Sequence, residues 1–297
     1  MISIGISGSS GFVGKNFLEK NINLYQFVSY KRNQPFEINE DVVIHLAGKA
    51  HDLKNVSDAI EYYKVNTELS KIFFDAFLVS KAKVFITLSS VKAAADSLES
   101  SLTEEYTPNP ITHYGKSKLF AEQYILSKTI PEGKRVYILR PCMIHGPGNK
   151  GNLNLLFKII NKSFPWPLGA FKNKRSFCSI DNLCFVLNEL IMNDSIPSGV
   201  YNISDDEPIE TNDLIKLIAE SQGKNHRIWN IPAYLIKFIS KIGDIINLPL
   251  NTERLNKLTE TYIVSNNKIK NAINKPLPFS AKEGLIKTLN SINTNAK

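Results

Sequence analysis

Cysteine is scarce in this chain. Its 297 residues include three, Cys142, Cys178 and Cys184, and no two are spaced as C-x-x-C. An odd and scattered set excludes a disulfide framework and a thiolate metal site, and it suits a reducing, cytoplasmic setting. No metal is therefore expected. Long apolar runs are missing too: none reaches the roughly 18 to 20 residues that a spanning helix requires, so no membrane span is read. No basic segment followed by an apolar one precedes the strand pattern that starts at Ile2, so no signal peptide is read. The chain has neither internal repeats nor a low-complexity tract. Acidic residues are outnumbered, 28 against 36 basic ones, and the formal charge of +8 is spread over both halves. Such a surface favours anionic partners: phosphorylated small molecules, nucleic acid or an anionic membrane. With 43% hydrophobic and 22% charged residues, the composition excludes wholesale disorder.

What is present is an alternation of β-rich runs with helical patterns. Ile2 to Ser7, Tyr25 to Tyr30, Asp41 to Leu46, Lys83 to Ser89 and Arg135 to Leu139 read as strands. Continuous apolar runs such as Val42-Val43-Ile44 are the kind buried on both faces of a parallel sheet. Phe12 to Leu24, Ala59 to Lys81 and Tyr114 to Leu126 read as the intervening helices. This predicts an α/β fold, a Rossmann-type doubly wound parallel sheet. After Pro141 the pattern changes, with loops at Gly146–Gly151 and Pro165–Gly169 and helices over Thr211–Gln222 and Ala233–Ile246. Residues 1–150 are read as the dinucleotide-binding domain and 151–297 mainly as a smaller α/β substrate lobe, with some interleaving. The polar stretch from Asn290 is expected to fray.

The first strand runs into Gly8-Ser9-Ser10-Gly11-Phe12-Val13-Gly14, a G-x-x-G-x-x-G spacing that opens a helix. Glycines let the chain turn sharply and let backbone N–H groups approach a pyrophosphate, which a helix N-terminus favours electrostatically. Turns also use glycine for steric reasons alone. Here strand, spacing and helix agree on dinucleotide binding through Gly8, Ser10, Gly11, Phe12, Val13 and Gly14. NAD sites commonly place an acid after the second strand, on the adenosine ribose. This chain has Tyr30-Lys31-Arg32-Asn33 there. Lys31 and Arg32 would welcome a 2′-phosphate, Arg bidentately. NADP(H) is therefore favoured and NAD(H) stays open, the plain alternative being a solvated strand end.

Tyr114-Gly115-Lys116-Ser117-Lys118 is Y-x-x-x-K, and residues four apart share a helix face. A free phenol has a pKa of about 10, too high for proton transfer at neutral pH. An ammonium one turn away, together with a cationic nicotinamide, would favour phenolate and lower that value, giving a general acid/base. Ser89-Ser90 ends a strand and can add a hydroxyl for a substrate oxygen. The ordinary alternative is a Tyr and a Lys on a solvated helix face. The glycine loop and the Ser-ended strand upstream weigh against it.

Together these residues resemble the extended short-chain dehydrogenase/reductase family, of the NAD-dependent epimerase/dehydratase type, from Ile2 to about Leu285. His45-Leu46-Ala47-Gly48 is similar to its cofactor-lining strand end, and Asn66 in Val65-Asn66-Thr67 to the Asn of its next helix. Leu139-Arg140-Pro141 and Gly146-Pro147-Gly148 are similar to the segment that crosses to the substrate lobe. The resemblance implies Ser90, Tyr114 and Lys118 as the catalytic residues. It implies Leu46, Ala47, Gly48, Asn66, Tyr114, Lys118 and Pro141 as further cofactor contacts. It also implies Arg175, in Lys174-Arg175-Ser176-Phe177, as a clamp on a nucleotide diphosphate, the alternative being an Arg paired with an acid. Ser90, Lys49, His51 and Asn152 complete the implied substrate contacts.

The resemblance is not uniform. Met143 stands where nucleotide-sugar epimerases and dehydratases often have Asn, and His145 where they often have Tyr. Val91-Lys92 replace the Asp-Glu of dehydratases. Dehydration needs an acid and a base, so it is disfavoured. Ser89–Lys92, Tyr114–Lys118 and Pro167–Ser176 are most similar to the branch of UDP-4-keto-6-deoxy-N-acetylhexosamine 4-reductases of surface polysaccharide synthesis. This implies a nucleotide-sugar substrate, no nucleic acid, and reduction at C4 by NADPH. Tyr114 would give the proton, Ser90 polarise the carbonyl, and Lys118 orient the nicotinamide ribose. A 4-epimerase with retained NAD, acting on a nucleotide- or polyprenyl-linked sugar, is the nearest rival. A non-catalytic NADP(H)-binding regulator is another, against which the intact Ser90, Tyr114 and Lys118 count. A homodimer stays open, and so does weak membrane-surface association. Tyr234 to Leu248 is apolar at helical spacing with Lys237 and Lys241 on one face; a helix packed on its own core is the favoured reading of that segment.

Overall fold

A computed structural model of the chain describes every residue except 32, 33, 35, 50–58, 150, 151, 163, 247–250, 296 and 297, and of Asn152 and Asn295 the backbone alone. In chain order the strands are β1 (Ser3–Ser7), β2 (Gln26–Tyr30), β3 (Val42–His45), β4 (Val84–Leu88), β5 (Arg135–Pro141), β6 (Met143–His145), β7 (Lys174–Arg175), β8 (Phe177–Ser179), β9 (Gly199–Ile203) and β10 (Ile209–Glu210). The helices are α1 (Phe12–Asn21), α2 (Ala59–Tyr62), α3 (Leu69–Val79), α4 (His113–Leu126), α5 (Asn152–Asn161), α6 (Ile180–Met192), α7 (Thr211–Ser221), α8 (Ala233–Ile246), α9 (Thr252–Thr259), α10 (Asn267–Ile273) and α11 (Ala281–Asn295).

Among the described residues six strands form one sheet in the order β2-β1-β3-β4-β5-β9, every pairing parallel. Side chains alternate between its faces, and both faces are covered. On one side Val42, Ile44, Val84, Ile86, Tyr137 and Leu139 meet Phe17 of α1 and Leu183 and Leu187 of α6. On the other side Val43, Phe85, Val136 and Ile138 meet Phe73, Phe74 and Phe77 of α3 and Ile125 of α4. The doubly wound Rossmann-type fold expected from the strand–helix alternation is the fold observed. A second core gathers Leu153, Phe157, Leu214, Ile218, Ile236, Leu255, Leu285 and Leu289 from α5, α7, α8, α9 and α11, with Trp166 from the loop after α5. β9 and α6 come from the second half of the chain yet belong to the main sheet layer.

Several local readings change. α1 ends at Asn21, and the stretch read as one helix from Ala59 is broken by a π-helical turn, Tyr63–Glu68, between α2 and α3. The tail expected to fray from Asn290 is helical as far as Asn295. α8 was expected to pack on its own core, but of its 14 residues Ile236, Ser240 and Gly243 are buried. Most of its apolar side chains face outward.

Candidate active site

The chain leaves β1 for β2 on one side, and β3 returns on the other. A doubly wound sheet opens its ligand crevice at the carboxyl ends of strands where the order reverses. Here those ends are the Gly8–Gly14 loop and the segment from Leu46 to Lys49. The two touch so closely that side chains are excluded. A Cβ on Gly8, whose φ is +75°, would lie 2.6 Å from the Ala47 nitrogen, and one on Gly14 would lie 2.4 Å from the Gly8 carbonyl oxygen. The Gly11 N–H donates to that same carbonyl at 2.9 Å. α1 then starts with no side-chain cap on its first turn, so its leading N–H groups are left for an anion. This cradle fits a dinucleotide pyrophosphate. Ser10 and Gly11 are exposed on it, Val13 is buried, and Phe12 packs beside the Gly146 crossing. Lys31 is exposed just past the end of β2, whereas Arg32 lies outside the described residues.

Beneath the crevice His45 bridges two elements. Its Nδ1 is 2.7 Å from Ser7 Oγ on β1, and its Nε2 is 3.0 Å from Ser70 Oγ on α3. Burial, with the Lys118 charge adding to it, pushes the imidazole down to about 3, so it stays neutral. Asn66, on the π-helical turn, is fully buried. Its Oδ1 accepts the Lys49 N–H at 2.8 Å, and its Nδ2 donates to the Lys49 carbonyl at 3.1 Å and to Ser117 Oγ at 3.0 Å. The turn thereby ties the loop after β3 to α4. Such π-turns occur frequently at functional sites.

α4 begins behind the N-cap Thr112, whose hydroxyl accepts the Gly115 N–H at 3.2 Å. A Cβ on Gly115 would sit 2.3 Å from the Lys92 carbonyl oxygen. Glycine inside Y-x-x-x-K is therefore what lets α4 pack directly on the turn after Ser90. Ser90 and Tyr114 share a hydrogen bond. The Lys118 ammonium donates to the Leu88 carbonyl at 2.8 Å and would lie 3.0 Å from a Cβ on Gly48. The three predicted catalytic side chains thus meet at the ends of β3 and β4. Burial pushes Lys118 down to about 8 against the opposing pull of Glu122. Burial also raises the Tyr114 phenol above its ordinary value, against the Ser90 hydrogen bond that lowers it. Burial of the phenol thus opposes the lowering expected from Lys118 together with a cationic nicotinamide, and it outweighs the Ser90 hydrogen bond. One turn beyond Lys118, the buried Glu122 carboxylate is held by Arg140 through Nε at 3.0 and 3.1 Å and by the Ser89 hydroxyl. Such pairing is what a buried carboxylate needs.

Toward the second core, β7 pairs with β10 and carries Arg175. The Arg175 Nε donates to the Glu260 carbonyl at 3.2 Å, and another guanidinium nitrogen donates to the Lys257 carbonyl. Lys92 lies 4.1 Å from the Tyr262 ring centroid and donates to the Asp96 carbonyl at 2.6 Å. Burial lowers the Lys92 ammonium, the Asp96 and Glu260 charges oppose that, and the Arg175 and Lys257 charges add to it. Lys92, Arg175 and Lys257 therefore lie near one another in a mixed cluster with Asp96 and Glu260, and Lys257 is itself paired with Glu253 at 2.6 Å. The Lys49 ammonium pairs with Glu61 and lies 5.7 Å over Tyr62, whose ring is 6.0 Å from that of Tyr114. Pro141 is buried at the end of β5. His51 and the side chain of Asn152 lie outside the described residues. Lys92 and Tyr62 were not among the expected site residues. Lys92 had a signal, standing two residues after Ser90; Tyr62 had none. Among the described residues no group of three or more His, Cys, Asp or Glu could hold a metal ion.

Comparison with known proteins agrees with this fold. The UDP-glucose 4-epimerase of Vibrio cholerae is 26% identical over 96% of this chain and 94% of its own length. The N-acetyl-alpha-D-glucosaminyl-diphospho-ditrans,octacis-undecaprenol 4-epimerase of Escherichia coli O157:H7 is 27% identical over 95% of this chain and 92% of its own. The fold matches that of UDP-glucuronic acid 4-epimerase from Bacillus cereus in complex with NAD, with a TM-score of 0.77 at 18% identity over the whole of both chains. The model of the NAD dependent epimerase/dehydratase family matches residues 30–204, which is more than half of the chain, and the chain belongs to that family.

Proposed function

We propose that this chain exchanges a hydride at C4 of a diphosphate-linked sugar, using a bound nicotinamide nucleotide. The observation that carries the reading is the meeting of Ser90, Tyr114 and Lys118 at the mouth of a crevice whose floor is the glycine cradle. The nicotinamide, when bound, supplies or takes up the hydride. Tyr114, kept protonated by burial, gives its proton to the oxygen at C4. Ser90 holds that oxygen. Lys118, buried beside Gly48, reaches the ribose and keeps a positive charge near Tyr114. Leu46, Ala47, Asn66 and Pro141 shape the cofactor side. Arg175 and its neighbour Lys92 hold the diphosphate, and Lys49, His51 and Asn152 serve the sugar.

The finer reading is reduction of a UDP-linked 4-keto-6-deoxy-N-acetylhexosamine by NADPH. Lys31-Arg32 in place of an acid after β2 supports it. A second reading, 4-epimerisation with retained NAD, is favoured by the two relatives named above, both 4-epimerases matched over nearly their whole length. The three free, buried cysteines suit a reducing cytoplasm in either case. One assay separates the readings. Offered the keto-sugar with NADPH, a reductase oxidises one NADPH per sugar consumed. A 4-epimerase instead inverts C4 of an unoxidised UDP-sugar with no net change in reduced-nicotinamide absorbance. Absence of both reactions would overturn the proposal.

A further inference from the structure

α8 presents an apolar face that the rest of the described chain leaves open. At about 100° per residue, Tyr234, Leu235, Phe238, Ile242, Ile245 and Ile246 fall within one arc of about 120°. Tyr234 is 70% exposed, Phe238 62%, Ile245 81% and Ile246 60%. Singly exposed apolar residues are normal, but a contiguous set on one helix marks a surface that meets something. Beside this arc stand Lys237 and Lys241, both exposed. The helix's single acid, Asp244, is engaged by Thr252, whose N–H and hydroxyl donate to it at 2.9 and 2.5 Å. The segment leading into α8 adds exposed His226 and Arg227, which with Lys224 and Phe164 line an open cavity of about 260 Å³. Trp229, 54% exposed, follows them.

We propose that α8 docks this protein on an anionic lipid surface. The helix lies in the plane of the membrane, its apolar arc in the boundary between headgroups and acyl chains and its lysines on lipid phosphates. The charge favours this occupant, because cations border the apolar arc and the whole chain carries +8. Trp229 and Tyr234 are of the type enriched at that boundary. Among the described residues no helix is long and apolar enough to cross a membrane, so α8 lies on the surface. A second copy is disfavoured as the cover. In a two-fold pairing with antiparallel helices, the flank bearing Lys237 and Lys241 in one copy would lie on the same side of the seam as that flank in the other, bringing the four lysines together. The inference goes beyond the reaction proposed above and does not depend on it.

The test is flotation of the full chain, at low ionic strength, with vesicles of equimolar phosphatidylcholine and phosphatidylglycerol or of phosphatidylcholine alone. The protein is expected to float with the anionic vesicles only, with Trp229 emission shifting to the blue. Phe238→Glu with Ile245→Glu should abolish flotation while leaving thermal melting and nicotinamide binding unchanged, since both side chains are exposed. Lys237→Gln with Lys241→Gln should weaken anionic-vesicle binding by about 30-fold, at about 1 kcal/mol for each lysine. No flotation, equal flotation on neutral vesicles, or flotation of the double-Glu chain like the wild type would overturn the proposal. So would a dimer mass in solution that Phe238→Glu reduces to a monomer, since a second copy would then cover the face.

Discussion

Burial acts in opposite directions on the two titratable residues of Y-x-x-x-K. It raises the Tyr114 phenol and lowers the Lys118 ammonium, the latter to about 8. Burial keeps the Tyr114 phenol protonated but makes it a weaker acid, so a step in which it gives a proton relies on the charge on Lys118, which sets the alkaline limit. The kcat/KM for the reductive direction, which reports the free enzyme, should fall as pH rises past about 8. A profile that stays flat to about pH 10, the range of an unperturbed lysine, would contradict this assignment. Stability follows the same group with the opposite sense. Between the folded value of about 8 and the unfolded value of about 10.4, the unfolded chain binds the extra proton, so this group makes the fold more stable as pH rises through that window. The identities of Ser90, Tyr114 and Lys118 were legible from spacing and strand position. The burial that opposes the lowering of Tyr114 was not, because it depends on what surrounds the phenol, including Tyr62, which no motif marks.

At the scale of elements, the glycine loop was legible because its constraint is steric and local. The Gly8–Gly14 spacing marks where two backbones touch, and Gly14 is the sharpest case. An added methyl would meet the Gly8 oxygen at 2.4 Å and the Ser9 Cα at 2.8 Å, both backbone atoms that cannot rotate away. Gly14→Ala should therefore cost about 1–3 kcal/mol, a Tm loss of roughly 2–4 °C per kcal/mol at this chain length. It should weaken nicotinamide nucleotide binding as well. Gly11→Ala, whose Cβ would sit 3.2 Å from the same oxygen, should be milder. Thermal melts and a cofactor titration read both effects; a Gly14→Ala chain with wild-type Tm and affinity would show that the loop is not the cradle described. The π-helical turn was not legible. Ala59 to Lys81 keeps a helical apolar pattern throughout, and one wider turn within it changes no residue type. That turn nevertheless carries Asn66, which holds both backbone groups of Lys49. The exposure of α8 was hidden for a related reason. Apolar residues at helical spacing look the same whether a protein core or another phase covers them.

For the whole molecule, the sheet is completed from the far half of the chain. β9 pairs with β5 along Tyr137–Pro141, and α6 packs over β1 and α1. Val200-Tyr201-Asn202 is too short a run to announce a strand, so the layer's last member emerges from tertiary pairing and not from local pattern. The other core draws on residues from Leu153 to Leu289. The charged cluster of Lys92, Arg175 and Lys257 with Asp96 and Glu260 joins a turn after β4, the strand β7 and the helix α9, and no local pattern could have announced it. The proposed hydride exchange belongs where Ser90, Tyr114 and Lys118 meet at the ends of β3 and β4. The most direct measurement follows the hydride itself. Wild-type protein is given a UDP-4-keto-6-deoxy-N-acetylhexosamine and NADPH deuterated at the transferring position of the nicotinamide. The expected result is deuterium at C4 of the sugar, with transfer slowed roughly 100-fold or more in Tyr114→Phe while cofactor binding is unchanged. Unlabelled C4 in the product, or transfer at wild-type speed without the Tyr114 hydroxyl, would contradict it.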